Sequence, residues 1–167
     1  IEIINRNCEN LLKIINDIID SSKIETGNYK INKKNNDIVY IVEEVALNMS
    51  NFIEEKGLSL IIDPEIEEKV ISCDETEIER CVINLLGNAV KFTPKGGEIR
   101  VYIKEVKGYI EITIEDNGIG CENIKPDFGL HHMQERIELL KGNIRFYGSS
   151  GFIIIAEIPI RAGLEYD

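Results

Sequence analysis

The chain has 167 residues and a formal net charge of −11, from 30 acidic and 19 basic side chains. A surface this acidic repels polyphosphate backbones, which argues against a nucleic-acid binder, and a site for a phosphorylated ligand then needs local cations of its own. With 43% hydrophobic residues and no apolar run of the roughly 18 residues that span a bilayer, the sequence predicts one globular core with an appended segment and no membrane segment.

The cysteines bear on the compartment. They lie at positions 8, 73, 81 and 121, without a C-x-x-C pair or metal-ligand spacing. Reduced cysteines that pack as small apolar residues are the simplest interpretation, and this favours a cytoplasmic location. The chain begins in mid-pattern without a leader, so we expect a piece of a longer protein, for which a membrane anchor elsewhere is compatible with the sequence.

The first segment, IEIINRNCENLLKIINDIIDSSKIETG, predicts a long helix that ends at a Gly27 cap. Its apolar residues recur at alternating spacings of three and four, the pattern of a heptad seam. They are Ile1, Ile4, Cys8, Leu11, Ile15 and Ile18, with Leu12 and Ile19 widening the stripe. The width favours a helical bundle over an isolated two-stranded coil, and an amphipathic helix lying on its own domain is the alternative.

The rest of the chain mixes strand and helix patterns. Helices are predicted from Asp37 to Gly57, after Asp74, and from about 129 to 141, with Asp37 and Asp74 as N-caps. Strands are predicted at 28–32, 58–63, 69–74, 97–106, 109–117, 143–148 and 152–160. This order predicts an α+β domain in which helices pack on one face of a largely antiparallel sheet.

One predicted helix has two distinct stripes. In INLLGNAVKFTPKGG, Asn84, Asn88 and Lys91 fall within roughly 60° of one another at 100° per residue. The apolar stripe lies roughly 140° away and comprises Ile78, Val82, Leu85, Leu86 and Ala89. Amide oxygens suit Mg²⁺ and a nearby lysine suits phosphate, while a solvated helix face is the simpler alternative.

Two later segments add to this pattern. IEDNGIG, residues 114–120, ends a predicted strand in a carboxylate, Asp116, which can accept a hydrogen bond from an exocyclic amine; an Asx turn is the alternative. Its glycines let backbone approach a ligand closely. In DFGLHHMQERIELLKG a helix begins near Gly129, where free N–H groups can meet phosphate oxygens.

Together these segments resemble the catalytic ATP-binding domain of sensor histidine kinases, in the GHKL superfamily. NLLGNAVKFTPKGG is similar to the family's N box and DNGIG to its G1 box, while INDIIDSSKIETG resembles the end of the second dimerisation helix. The resemblance implies a Bergerat fold, a two-layer α/β sandwich with three helices on one face of a mixed sheet, preceded by one long helix. It implies a dimerisation segment at 1–27 and a catalytic domain at 28–167.

The resemblance also implies a site for ATP and Mg²⁺. Asn84 and Asn88 would hold the metal and, with Lys91, serve phosphoryl transfer; Asp116 would take the adenine amino group. The remaining implied nucleotide contacts are Phe92, Gly118, Gly120, Gly129 and Leu130. Arg136 and Lys125 are candidate cations of the loop that covers the nucleotide, the ATP lid.

The reaction so implied moves the γ-phosphoryl group to a histidine on the first dimerisation helix, which we expect to precede residue 1. His131 and His132 do not replace that histidine because both fall at the lid helix. The implied partners are the protein's own dimerisation hairpin, a second copy and a response regulator. Only eight residues separate Gly120 from Gly129, so a nucleotide-binding regulatory module that has lost transfer is one alternative, and an anti-sigma-type serine kinase is another.

Overall fold

The structure is a computed structural model that describes residues 2–118, 128–148 and 151–160. Within these it has four helices and seven strands, and it divides into two compact units, residues 1–31 and 32–167. No helix in the described part of the chain is long and apolar enough to cross a membrane.

The first unit contains one long helix, α1 (Glu2–Glu25). The helix ends as predicted at Gly27, whose φ of +69° lies in the left-handed region, and Asn28 N–H donates to the Lys23 carbonyl at 2.8 Å. Six large apolar side chains of this helix are between 43% and 59% exposed: Leu11, Leu12, Ile14, Ile15, Ile18 and Ile19. The amphipathic character predicted from the heptad spacing is present.

The second unit begins with a small two-stranded sheet. Strand β1 (Lys34–Asp37) pairs antiparallel with β3 (Val70–Cys73), and between them lie α2 (Ile38–Glu55) and β2 (Ser59–Pro64). The predicted strand at 28–32 is wrong, because that stretch has no regular structure and the strand begins at Lys34. The physical reason is the backbone partner: Asn32 N–H donates to the Asp74 carboxylate at 2.7 Å instead of to another strand.

The main sheet has five strands in the order β2-β4-β5-β7-β6. Its other members are β4 (Glu98–Val106), β5 (Tyr109–Asp116), β6 (Asn143–Tyr147) and β7 (Ile153–Pro159). The pair β2 and β4 is parallel and all other neighbours are antiparallel, so the sheet is mixed, as expected.

The remaining helices are α3 (Glu75–Phe92) and α4 (Phe128–Leu139). Helix α2 packs on β2, α3 on β5, and α4 on β6 and β7. Alternate residues of the central strands form the buried face beneath them: Ile99, Val101, Ile103, Ile110, Ile112, Ile114, Ile154, Ala156 and Ile158. This period of two is what a sheet with one covered face requires, and it confirms the predicted α+β architecture.

Asp116 continues this buried row at the end of β5, where it lies opposite Ile99 of β4. It is therefore a carboxylate at a position that the alternation reserves for an apolar side chain. Only 3% of its surface is exposed. Such a placement needs a chemical explanation, because a buried charge is costly unless hydrogen bonds stabilise it.

Candidate nucleotide site

Helix α3 has the two stripes that its sequence predicts. Its N-cap Asp74 accepts from Glu77 N–H at 3.3 Å, and five apolar side chains are at most 1% exposed: Ile78, Val82, Leu85, Leu86 and Ala89. Asn84 and Asn88 on the other stripe are half-buried, and Lys91 is exposed. The apolar stripe therefore packs in the core, whereas Asn84, Asn88 and Lys91 on the polar stripe are accessible to a ligand.

The amides on that second stripe have acceptor oxygens to offer. Asn88 Nδ2 lies 3.9 Å from the sulfur of Met133 on α4, so this end of the amide faces a neighbouring helix. Among the described residues, neither Asn88 Oδ1 nor the side chain of Asn84 has a hydrogen-bond partner. Two amide oxygens without protein donors suit a hard cation.

Lys91 supplies a local positive charge. Its ammonium nitrogen lies 5.0 Å from the centroid of the Phe92 ring, and no carboxylate within the described part of the chain pairs with it. Phe92 itself is 53% exposed at the carboxyl end of α3. In a chain with a net charge of −11, an uncompensated lysine beside two asparagines is the kind of cation that a phosphate site needs.

The carboxylate of Asp116 is half satisfied. Its Oδ1 accepts hydrogen bonds from Gly118 N–H at 2.8 Å and from Phe152 N–H at 3.3 Å. Its Oδ2 is buried and has no hydrogen-bond partner in the described structure. An orphaned buried oxygen costs free energy unless a donor from outside the chain reaches it.

The bond from Gly118 is the Asx turn expected as the simpler alternative for DNG. The two interpretations are compatible, because the turn uses Oδ1 only and fixes the direction of the carboxylate. The second donor, from Phe152, comes from the chain just before β7, and Asp116 N–H donates back to the Phe152 carbonyl at 3.0 Å. Sequence reasoning missed Phe152, since a main-chain donor leaves no signal in the side-chain pattern.

Two glycines pack against Asp116. A Cβ at Gly118 would lie 2.7 Å from Asp116 Oδ1 and 2.8 Å from the Phe92 carbonyl oxygen. Gly151 has a φ of +92°, and its α-carbon faces the Asp116 carbonyl too closely to leave room for a Cβ. The end of α3, the end of β5 and the entry to β7 therefore meet around one carboxylate.

Helix α4 starts at the far end of the predicted lid. Leu130, an expected nucleotide contact, is 9% exposed, and Gly129 lies in the first turn. His131 and His132 each approach Glu135, with Nε2–Oε1 and Nδ1–Oε2 distances of 3.4 and 3.3 Å.

The prediction that Arg136 is a lid cation is wrong. Its guanidinium is buried and donates to Glu77 Oε2 on α3 at 2.8 Å. Nothing in the sequence indicated that these two side chains would pair. Glu77 falls on the polar stripe of α3, and Arg136 lies on a helix with other charged residues.

Other expected residues fall elsewhere. Gly120 and Lys125 lie outside the described residues. Cys73 and Cys81 are buried and free, and burial raises the pKa of Cys73 to about 11 and that of Cys81 to about 12. The part of the chain that the structure describes has no cluster of three His, Cys, Asp or Glu side chains able to hold a metal ion.

These residues fit ATP and Mg²⁺ as a pair. Mg²⁺ commonly binds few protein groups together with substrate phosphates, and the free amide oxygens of Asn84 and Asn88 are such groups. The orphaned Oδ2 of Asp116 suits an amino group, which adenine has at the position where guanine has a carbonyl.

Comparison with known proteins agrees with this assignment. The sequence profile of the histidine kinase-, DNA gyrase B- and HSP90-like ATPases matches residues 73–162. The autoinducer 2 sensor kinase/phosphatase LuxQ of Vibrio parahaemolyticus is 30% identical over 90% of this chain and 18% of its own length. Hybrid signal transduction histidine kinase L of Dictyostelium discoideum is 35% identical over 90% of this chain and 9% of its own length. The chain thus spans less than a fifth of these curated relatives.

Solved structures share the fold. Histidine kinase AdeS of Acinetobacter baumannii superposes with a TM-score of 0.84 at 23% identity, covering 96% of this chain and 83% of that one. Full-length ShkA in complex with AMPPNP gives 0.80 at 22% identity, over 92% and 36% of the two chains. Histidine kinase ThkA in complex with the response regulator TrrA gives 0.77 at 19% identity, over 95% and 49%.

The profile match covers more than half of the chain and includes α3, Asp116 and Gly118. The chain therefore belongs to the family of histidine kinase-, DNA gyrase B- and HSP90-like ATPases, and the relatives that it resembles within this family are sensor histidine kinases.

Proposed function

We propose that this chain binds Mg²⁺ and ATP and transfers the γ-phosphoryl group to a histidine on a dimerisation helix outside residues 1–167. Residues 1–27 would belong to the dimerisation hairpin and residues 28–167 to the catalytic domain. The observation that carries the proposal is the buried Asp116 carboxylate, whose Oδ2 has no partner in the described part of the chain.

Each residue has a role in this proposal. Asp116 accepts a hydrogen bond from the adenine amino group, and Gly118 leaves room for the base beside it. Asn84 and Asn88 hold Mg²⁺, which when bound neutralises charge on the phosphate oxygens, and Lys91 adds a second positive charge. Phe92, Gly120, Gly129 and Leu130 complete the nucleotide contacts.

Phosphoryl transfer needs positioning and charge neutralisation more than covalent help from the protein. The lone pair of a neutral imidazole nitrogen attacks the γ-phosphorus, the bond from that phosphorus to the bridging oxygen breaks, and ADP leaves with the electron pair. We assign no general base among the described residues of this chain. Hydrolysis of ATP without the acceptor histidine is accordingly expected to be slow.

The partners follow from the same proposal. A sensor kinase acts as a dimer through its helical hairpin, and the exposed apolar stripe of α1 supports such a contact. A response regulator would take the phosphoryl group from the histidine, and the ThkA complex with TrrA is a precedent in a protein of the same fold. ATP as substrate assigns this part of the protein to the cytoplasm.

The test has two stages. Calorimetric titration is carried out with ATP and with GTP, each in the presence and absence of Mg²⁺. We expect the chain to bind ATP and not GTP, and to bind ATP more tightly when Mg²⁺ is present. The chain is then mixed with a separate helical hairpin that carries the acceptor histidine, together with Mg·ATP. Acid-labile phosphate on that hairpin supports the proposal, ATP binding without transfer supports a regulatory module, and acid-stable label on serine supports the anti-sigma type.

A further inference from the structure

A buried ion pair joins α3 to α4. Arg136 Nη1 donates to Glu77 Oε2 at 2.8 Å, and each side chain is only 4% exposed. The other oxygen of Glu77 lies 3.5 Å from Arg80 Nη1, whose side chain is 45% exposed. A pair this deep gives less net stability than its distance suggests, because both charges lose their hydration.

Glu77 lies on the same stripe of α3 as the proposed metal ligands. It precedes Asn84 by two helical turns and Asn88 by about three, at about 3.6 residues per turn. The amino-terminal part of this polar stripe is thus covered by α4 through Arg136, and the carboxyl-terminal part carries Asn84, Asn88 and Lys91. One stripe of one helix serves both the contact with α4 and the proposed phosphate side.

The direction of α4 follows from two contacts. Met133 touches Asn88, and Arg136, one turn later on α4, reaches back to Glu77, near the start of α3. From Met133 to Arg136 the chain of α4 advances, while the partners on α3 move back from Asn88 to Glu77. The two helices therefore run in opposite directions, and the first turn of α4 lies toward the carboxyl end of α3. This first turn contains Gly129 and Leu130, the expected lid-side contacts of the nucleotide.

We propose that the Glu77–Arg136 pair is a positioning element that fixes the register of α4 on α3. It thereby holds the first turn of α4 beside the phosphates of the nucleotide, and this role rests on the proposed function. Met133 contributes only a long N–H···S contact with Asn88 at 3.9 Å, and a thioether sulfur is a weak acceptor, whereas the charge-assisted N–H···O bond of the ion pair is short and has a required direction. Asp116 belongs to β5 and is held by Gly118 and Phe152, so recognition of the base is independent of the pair.

The test separates phosphate binding from base binding in the full 167-residue chain. The double variant Glu77→Met/Arg136→Met removes both charges and keeps similar volume, a change that buried ion pairs often tolerate. Dissociation constants for Mg·ADP and for adenosine are measured by NMR titration on wild type and variant. Arg80→Gln is the matched control, since it removes the exposed guanidinium that also contacts Glu77.

We expect the double variant to bind ADP about tenfold more weakly, the usual scale for loss of an orienting partner. Adenosine affinity should stay within about twofold, as for a change remote from the site. Arg80→Gln should behave as wild type, and Arg136→Lys, which keeps a cation but loses the guanidinium geometry, should lose only part of the ADP affinity. If the double variant fails to fold, Arg136→Lys is compared with wild type: weaker ADP binding with unchanged adenosine affinity is expected, and unchanged ADP affinity would overturn the inference.

Equal losses for ADP and adenosine would assign the pair a merely structural role and overturn the inference. Unchanged ADP affinity in a folded double variant would overturn it as well. Wild-type protein that binds neither ligand would instead refute the proposed nucleotide site, so the two failures are distinguishable.

Discussion

Gly118 N–H donates to Oδ1 of Asp116 at 2.8 Å. The other carboxylate oxygen, Oδ2, is buried and has no hydrogen-bond partner among the described residues. A residue with a Cβ could not come this close, because a Cβ at position 118 would lie 2.7 Å from that same Oδ1. A short turn thus fixes the direction of a group that would read the purine.

Replacement of Asp116 by Asn should remove base recognition with little change of shape. The amide keeps one oxygen but puts an N–H₂ group where an acceptor is needed, so two donors then face each other. A hydrogen bond that involves a charged group contributes about 1.5–3 kcal/mol, which corresponds to roughly 10- to 100-fold in ATP affinity. Calorimetry with ATP and GTP measures it, and unchanged affinity in a variant with wild-type circular dichroism would contradict the assigned role.

Replacement of Asn88 by Ala should abolish phosphate labelling of an added histidine hairpin and leave the fold intact. Asn88 is half-buried and off the apolar stripe, so the core of α3 loses nothing by the change. Autoradiography after acid and base treatment measures the labelling, and thermal denaturation checks the fold. Leu85→Ala is the opposite control: it removes a 1% exposed core side chain and should cost about 2–5 kcal/mol of unfolding free energy.

Replacement of Gly118 by Ala should weaken ATP binding, because the new methyl group would press on Asp116 Oδ1 and on the Phe92 carbonyl, which is backbone. Gly87→Ala in α3 is the matched control, since beyond the backbone of its own helix nothing lies within 4 Å of the position that the new methyl group would take. A helical Gly→Ala change typically stabilises by about 0.5–1 kcal/mol. Urea unfolding and ATP titration of both variants measure the contrast, and equal behaviour of the two glycines would refute the packing argument.

Replacement of Asp74 by Ala should destabilise the second unit by about 1–2 kcal/mol, the upper range for loss of an N-cap. The carboxylate accepts from Glu77 N–H at the start of α3 and also from Asn32 N–H at the entry to the domain. Glu75→Ala removes an exposed acid from the same first turn and should change stability by only a few tenths of a kcal/mol. Equal effects of the two substitutions in urea unfolding would show that the cap is not what matters.

Alkali should destabilise the protein through its buried thiols. Desolvation raises the pKa of Cys73 to about 11 and of Cys81 to about 12, whereas a thiol in the unfolded chain ionises near pH 8.5 (about its reference value). Below that pH both states hold the proton. Above it the unfolded chain releases the proton first, so the free energy of unfolding falls until the folded thiols ionise.

Two measurements check this. Iodoacetamide at about pH 8 should leave Cys73 and Cys81 of the folded protein unmodified, because the thiolate is the reactive form. Urea unfolding across the alkaline range should show a shallower loss of stability for Cys81→Ala than for wild type. Rapid native-state alkylation of either cysteine would be inconsistent with its burial.

Much of the fold follows from short-range patterns. The caps at Asp37 and Asp74 and the C-terminal Gly27 of α1 act within a few residues, so their helices begin and end as predicted. The two stripes of α3 and the alternation of β4 and β5 are also local, because periodicity alone fixes which side chains share a face. The predicted strand at 28–32 was wrong because a strand needs a neighbouring strand to pair with. Asn32 N–H donates to the Asp74 carboxylate instead.

The sequence by itself determined which helix face is apolar, which asparagines and lysine share the other face, and that Asp116 ends a strand beside two glycines. Only the tertiary structure decided that Phe152 gives Asp116 a second donor and that Glu77 binds Arg136. The physical reason is that both contacts join segments 36 and 59 residues apart. A local sequence pattern indicates which donor or acceptor groups lie on each face of a helix or strand. Which partner such a group binds depends on how distant segments pack.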